Sequence, residues 1–293
     1  MSQAFASHAA PAIPIVTSIA PLASASEAWL VDIWGVMHNG VAPFLPAAEA
    51  CRAFRAAGGT VLLLSNAPRP GASVVTQLRR IGVPDDAYDE VLTSGDAARA
   101  MIAAYRGRPV LHIGPERDLP LFEGLGLVLA SLDEAEGVMC TGLHDDETET
   151  PDSYAELLAA ARARRLPMVC ANPDLKVERG GRIIWCAGGV AAAYAALGGD
   201  VSYAGKPHAP IYARADEMVA ALRGAAVPRS RMLAIGDGIK TDIAGASAAG
   251  IRSVYIASGV HLAPGTTLDA ASVGSLLAGV APAPVAAMPA LVW

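Results

Sequence analysis

Trp29-Leu30-Val31-Asp32-Ile33-Trp34-Gly35-Val36 is the stretch on which the reading of the fold turns. Three apolar residues run straight into a carboxylate and then a glycine, which describes a buried strand that delivers an acid into a turn. Outward from it, Pro46 to Ala57 reads as an amphipathic helix, Thr60 to Ser65 as a second apolar strand and Gly71 to Ile81 as a second helix. That strand and helix alternation predicts a parallel sheet wrapped by helices. The same rhythm returns near the other end, with Val201 to Ala204, His208 to Arg223, Arg231 to Ile235, Asp242 to Ala249 and Ile251 to Ile256. The two ends are expected to share one sheet, and the block near 88 to 190, with its own strand-like and helix-like runs, to form a second α/β unit inserted into the first.

Four segments place polar residues where a strand should stop, the edge at which open parallel sheets bind ligands. They are Asp32 in the opening stretch, Ser65-Asn66 after Val61-Leu62-Leu63-Leu64, Lys206 in Tyr203-Ala204-Gly205-Lys206-Pro207, and Asp237 and Asp242 beyond Met232-Leu233-Ala234-Ile235-Gly236. A carboxylate nucleophile, donors for phosphoryl oxygens, a fixed cation and oxygen ligands for magnesium are the parts that phosphoryl transfer needs.

In that order the chain resembles the haloacid dehalogenase superfamily, in its NagD-like and para-nitrophenyl-phosphatase-like subgroup, over nearly its whole length. The resemblance implies a doubly wound, Rossmann-like parallel α/β core formed by residues 1–87 and 191–293, with a C2-type α/β cap over 88–190. It implies Asp32 as the nucleophile that carries the phosphoryl group, Ser65 as the hydroxyl that binds it, with Asn66 beside it as a further substrate-binding residue, and Lys206 as the cation that neutralises both. Magnesium would be held by Asp32, the Trp34 carbonyl and Asp237, with Asp242 supporting the site. Ala171-Asn172-Pro173-Asp174 resembles the subgroup's Thr-Asn-Pro-Asp segment, which makes Asn172 and Asp174 substrate-side residues.

One position departs from the pattern: Trp34 stands where such phosphatases carry a second acid. That acid protonates the leaving oxygen and activates water, a contribution of roughly 100- to 10,000-fold, and indole does neither. His38 or a cap acid such as Asp174 is one replacement; restriction to activated substrates or transfer elsewhere is a second reading; binding of magnesium and a phosphorylated ligand without turnover, in a regulatory role, is a third. A dehalogenase or phosphonatase also lacks the second acid. The intact Asp237 and Asp242 pair argues against the former, and no segment matches the cap lysine of the latter.

Bulk composition agrees with a small-molecule enzyme. Twenty-two Lys and Arg against 28 Asp and Glu give a net charge of -6, which offers no footprint for nucleic acid or an anionic membrane. The expected partner is a small phosphorylated metabolite, and a homodimer through the cap is left open by the resemblance. Cys51, Cys140, Cys170 and Cys186 lie in apolar runs without a CxxC pair, as reduced thiols of a cytoplasmic protein do. Residues 1–26 carry no charge and include Ala23-Ser24-Ala25, but they lack a basic start and contain three prolines, so they read poorly as an export signal. His144-Asp145-Asp146-Glu147 reads as a solvated acidic loop.

Overall fold

The computed structural model describes residues 13–179, 182–257 and 268–293. Of the uncharged segment 1–26, residues 1–12 lie outside the described residues.

The strands in chain order are β1 (Ala28–Asp32), β2 (Thr60–Ser65), β3 (Glu90–Thr93), β4 (Pro109–Ile113), β5 (Val128–Leu129), β6 (Val138–Cys140), β7 (Met168–Cys170), β8 (Lys176–Arg179), β9 (Arg182–Trp185), β10 (Val201–Tyr203), β11 (Met232–Gly236), β12 (Arg252–Ile256) and β13 (Ala286–Met288). The larger sheet has the order β13-β12-β11-β1-β2-β3, and all of its pairings are parallel. From β1 the chain builds outward one way through β2 and β3, then returns to the other flank and builds outward through β11, β12 and β13. The order therefore switches between β1 and β11, the kind of place at which open parallel sheets bind ligands beyond the carboxyl ends of their strands.

Strand side chains alternate between faces, and here both faces are apolar. Trp29, Val31, Val61, Leu63, Leu233 and Ile235 enter one buried cluster, while Leu30, Leu62, Leu64, Met232 and Ala234 enter the cluster on the other side. A strand buried on both faces has no polar alternate position, which is why β1 and β2 read as continuous apolar runs. Helices α1 (Ala20–Ala23), α2 (Leu45–Ala56) and α3 (Gly71–Ile81) cover the first face. In α2, Ala47, Ala50, Cys51 and Phe54 make the buried stripe, and Phe54 stacks on Trp29 at 4.0 Å between ring centroids. Among helices on the other face are α4 (Ser94–Ile102) and, beyond α5 (Ala155–Ala163) and α6 (Ala187–Ala196) of the cap, α7 (Ala209–Arg223).

The cap is a five-stranded parallel sheet in the order β10-β7-β6-β4-β5, with β8 and β9 as a separate antiparallel hairpin. Helices α5 and α6 bury Leu158, Ala161, Val190, Ala191 and Tyr194 against one of its faces. Val110, Met139 and Val169 on its other face join the cluster that contains Leu30 and Leu62 of the core, so core and cap are joined by continuous apolar packing.

Strand pairing divides the chain later than the expected boundaries after 87 and 190. Residues 90–93 form an edge strand of the larger sheet, in register with β2. Residues 187–196 and 201–203 belong with the cap, through α6 and the pairing of β10 with β7. Both strands are short; Val201 to Ala204 reads as a strand from sequence, but a run of that length, none of it fully buried in β10, does not say which sheet it joins. At the other edge, Val16 donates its N–H to the Ala287 carbonyl and Ile19 donates to that of Val292. Ile19 is fully buried, so this part of the uncharged segment belongs to the fold. No helix among the described residues is long and apolar enough to cross a membrane.

The turn from β3 into α4 ties the starts of two helices together. Thr93 and Asp96 cap each other's backbone N–H groups, and the Asp96 carboxylate also accepts from the Gly71 N–H at the start of α3. Asp96→Ala is expected to lower unfolding free energy by about 1–2 kcal/mol, with Asp96→Asn retaining part of it. Urea denaturation of the three proteins checks this; an unchanged midpoint for Asp96→Ala would count against the shared cap.

Candidate active site

Asp32 ends β1, Ser65 ends β2 and Asp237 follows β11 directly, so three adjacent strands present polar residues at the switch point. Asp242 lies in the wide helical turn Ile239–Ile243 after β11, and Lys206 lies between β10 and α7. The Lys206 ammonium reaches into this edge, fully surrounded. It donates to Asp32 Oδ1 at 2.6 Å, to Asp242 Oδ1 at 2.7 Å and to the Leu64 carbonyl at 2.9 Å. An ammonium has three donors, and each one is used.

Asp32, Asp237 and Asp242 are all buried, and each places a carboxylate oxygen within 4.8 Å of the others. Gly35 makes this approach possible. Its φ is +82°, and a Cβ there would stand 2.0 Å from Asp237 Oδ2, so any side chain would strain the turn and displace the acid. Asp242 Oδ2 accepts from the Gly238 N–H at 3.1 Å and from the Thr241 hydroxyl. Three carboxylates facing one ammonium carry a double negative excess. Hard oxygen donors with that excess suit a divalent cation such as magnesium, so the donor set fits the metal expected from the sequence.

The electrostatics agree. Burial first, then the charge of Asp242, raises the Asp32 carboxyl to about 7 against the pull of Lys206. Burial and the charges of Asp32 and Asp242 raise Asp237 to about 9. Burial alone would lower Lys206, but the two carboxylates outweigh it and push it above its ordinary value.

The sequence-named residues arrive in different roles. Ser65 Oγ accepts from the Ala67 N–H at 3.2 Å, which leaves its own proton available to a ligand. Asn66 spends its amide on protein partners: Oδ1 accepts from the Lys206 N–H at 2.8 Å, and Nδ2 donates to the Lys206 carbonyl at 3.0 Å and to Asp174 Oδ1 at 2.9 Å. Asn172 Oδ1 accepts from the Asp174 N–H at 2.9 Å and so shapes its own turn. The Asp174 carboxyl is raised by burial, against the pull of Asn66 and Lys206. Trp34 is half-buried and meets His38 edge-to-face at 5.4 Å. His38 is buried, its Nδ1 accepts from the Gly40 N–H, and burial lowers it to about 4. A ring held neutral at pH 7 is a poor substitute for the acid that Trp34 displaces. The Leu64 carbonyl and Thr241 were not foreseen: the first is a backbone group that any residue would offer, and the second lies inside a stretch noted only for its acids.

The family model for haloacid dehalogenase-like hydrolases matches residues 29–128, and a second model, for HAD-hydrolase-like proteins, matches residues 203–277. Among solved structures the chain is similar to a haloacid dehalogenase-like family hydrolase from Brucella suis, with 49% identity and a TM-score of 0.81 over 84% of this chain and 94% of that one. It is 30% identical to a D-glycerol 3-phosphate phosphatase of Mycobacterium tuberculosis over 83% of this chain and 66% of that protein. The structure of a glycerol phosphate phosphatase from that organism in complex with calcium shares 26% identity and a TM-score of 0.63, over 82% of this chain and 68% of that one.

A carboxyl raised above its unfolded value binds its proton more tightly in the folded state, so its ionisation costs stability as pH rises toward the folded value. With Asp32 near 7 and Asp237 near 9, the metal-stripped protein is expected to lose thermal stability from pH 6 to pH 9. Saturating magnesium should flatten that slope, since a bound cation replaces the protons. Melting temperatures across this range, with chelator and with magnesium, check it; a metal-free melting temperature that rises over the range would contradict it.

Proposed function

We propose that this chain, which belongs to the haloacid dehalogenase-like hydrolases, is a magnesium-dependent phosphatase of small phosphorylated metabolites, with Asp32 as its nucleophile. The observation that carries the reading is the buried triad of Asp32, Asp237 and Asp242 around the Lys206 ammonium at the switch point of the sheet. The names of its relatives support the same chemistry, one being a D-glycerol 3-phosphate phosphatase.

Asp32, Asp237 and the Trp34 carbonyl would hold magnesium, and Asp242 would support them. The ion, when bound, offsets the charge of the carboxylates and of the phosphoryl oxygens. An Asp32 oxygen attacks phosphorus, the bond to the leaving oxygen breaks, and an aspartyl phosphate forms. The Ser65 hydroxyl orients the phosphoryl group, and the charge of Lys206 neutralises it. Water then attacks phosphorus, phosphate leaves, and the Asp32 carboxylate is regenerated. The cap excludes bulk water and selects the substrate.

Trp34 sets the limit of this chemistry. Indole has no proton to give a departing alkoxide, so leaving groups stable as anions are favoured, in the order acetyl phosphate, para-nitrophenyl phosphate, then glycerol and sugar phosphates. The same substitution favours a second reading, in which the site binds magnesium and a phosphorylated ligand without efficient turnover.

Phosphate release from that panel, with and without magnesium, is expected to vanish with chelator and in Asp32→Asn. Trp34→Asp should raise the rate on alkyl phosphates by about 100-fold or more and change the activated substrates much less. Release that persists in Asp32→Asn would sink the nucleophile assignment. Binding of phosphate with magnesium but no turnover of any substrate would transfer the case to the second reading.

A further inference from the structure

We infer that Asn66 is a positioning residue that fixes the backbone of Lys206 and ties it to Asp174 of the cap, and that it is not a ligand of the substrate. Its amide meets one peptide segment twice, accepting from the Lys206 N–H at 2.8 Å and donating to the Lys206 carbonyl at 3.0 Å. Two opposed hydrogen bonds to one residue fix the direction in which that residue's side chain departs. From this anchor the Lys206 ammonium meets its acceptors at 2.6, 2.7 and 2.9 Å. The second Nδ2 proton goes to Asp174 Oδ1 at 2.9 Å, so neither donor of the amide remains for a ligand.

The orientation of the amide follows from its partners, because Asp174 offers only acceptors and the Lys206 N–H only a donor. Asn66 is itself buried. Gly205 makes room for it, since a Cβ there would fall 2.5 Å from Asn66 Oδ1. Asp174 is held in turn by the Asn172 side chain. A continuous chain of contacts therefore runs from the turn Asn172–Asp174 of the cap, through Asn66 after β2, to the ammonium beside Asp32. Cap placement and lysine placement are coupled through one amide.

The kinetic side of this inference rests on the phosphatase reading, so the test has one arm that needs turnover and one that does not. On the best substrate, Asn66→Ala is expected to lower kcat by about 100-fold, the scale of an ångström-level misplacement. In a Lys206→Ala background the same change should cost less than about twofold, because its effect passes through the lysine. Multiplying losses would mean that Asn66 touches the substrate, and would overturn the inference. Should the wild type turn nothing over, the same cycle is read in the affinity for inorganic phosphate with magnesium.

The second arm is urea unfolding of Asn66→Asp, Asp174→Asn and the double variant. Asn66→Asp sets two carboxylates against each other and should raise the unfolding constant about ten- to a hundredfold. Adding Asp174→Asn restores the donor and acceptor pair between these two side chains, though not the bond to the Lys206 carbonyl, and should recover part of that loss. Failure to recover would overturn the link to the cap, whatever the activity. Circular dichroism of every variant establishes that folded proteins are being compared.

Discussion

The Lys206 ammonium, enclosed by Asp32, Asp242 and the Leu64 carbonyl, is the contact on which the site depends. A charge taken out of water is tolerated only when paired and fully hydrogen-bonded. Lys206 meets that condition with every donor used. Removing either carboxylate would leave a buried cation short of a partner, and removing the lysine would leave three buried acids in mutual repulsion. The arrangement also joins four parts of the chain: the end of β1, the end of β2, the exit from the cap and the turn after β11. A deeply buried ion pair is weak evidence for stability in itself; its value here is geometric, because it holds Asp32 and Asp242 at one edge.

The same geometry explains why a cation belongs at this edge. The lysine offsets one of the three buried acids, and burial first, with the remaining repulsion added to it, raises the Asp32 and Asp237 carboxyls. The site stores an affinity for positive charge that protons satisfy at low pH and that a divalent ion would satisfy at neutral pH. Trp34 follows Asp32 by two residues, and the nearest imidazole in sequence, that of His38, is held neutral by burial.

The cap bears on this site by direct contact as well as by enclosure. Its sheet shares an apolar cluster with the core, and Asp174 reaches the Asn66 amide. Residues that sequence comparison places on the substrate side, Asn66 and Asn172, are occupied in holding the lysine and the cap turn.

Much of this protein was legible in its sequence. The runs before Asp32, Ser65 and Asp237 read as strands because strands buried on both faces admit no polar alternation, and their terminal residues read as a site because parallel sheets expose functional groups at that end. The limits of the cap were not legible. Glu90–Thr93 and Val201–Tyr203 are too short to carry a period, and only pairing with β2 and β7 assigns them to their sheets. The role of Asn66 was not legible either. Whether an amide serves a ligand or a lysine depends on which donors lie within about 3 Å, and its partners are 108 and 140 residues away in the chain. Residue type and spacing alone determined the chemical kinds present and the strand ends that carry them. Their allotment to partners was decided by the tertiary structure, because hydrogen bonds and buried charges are settled by distance in space.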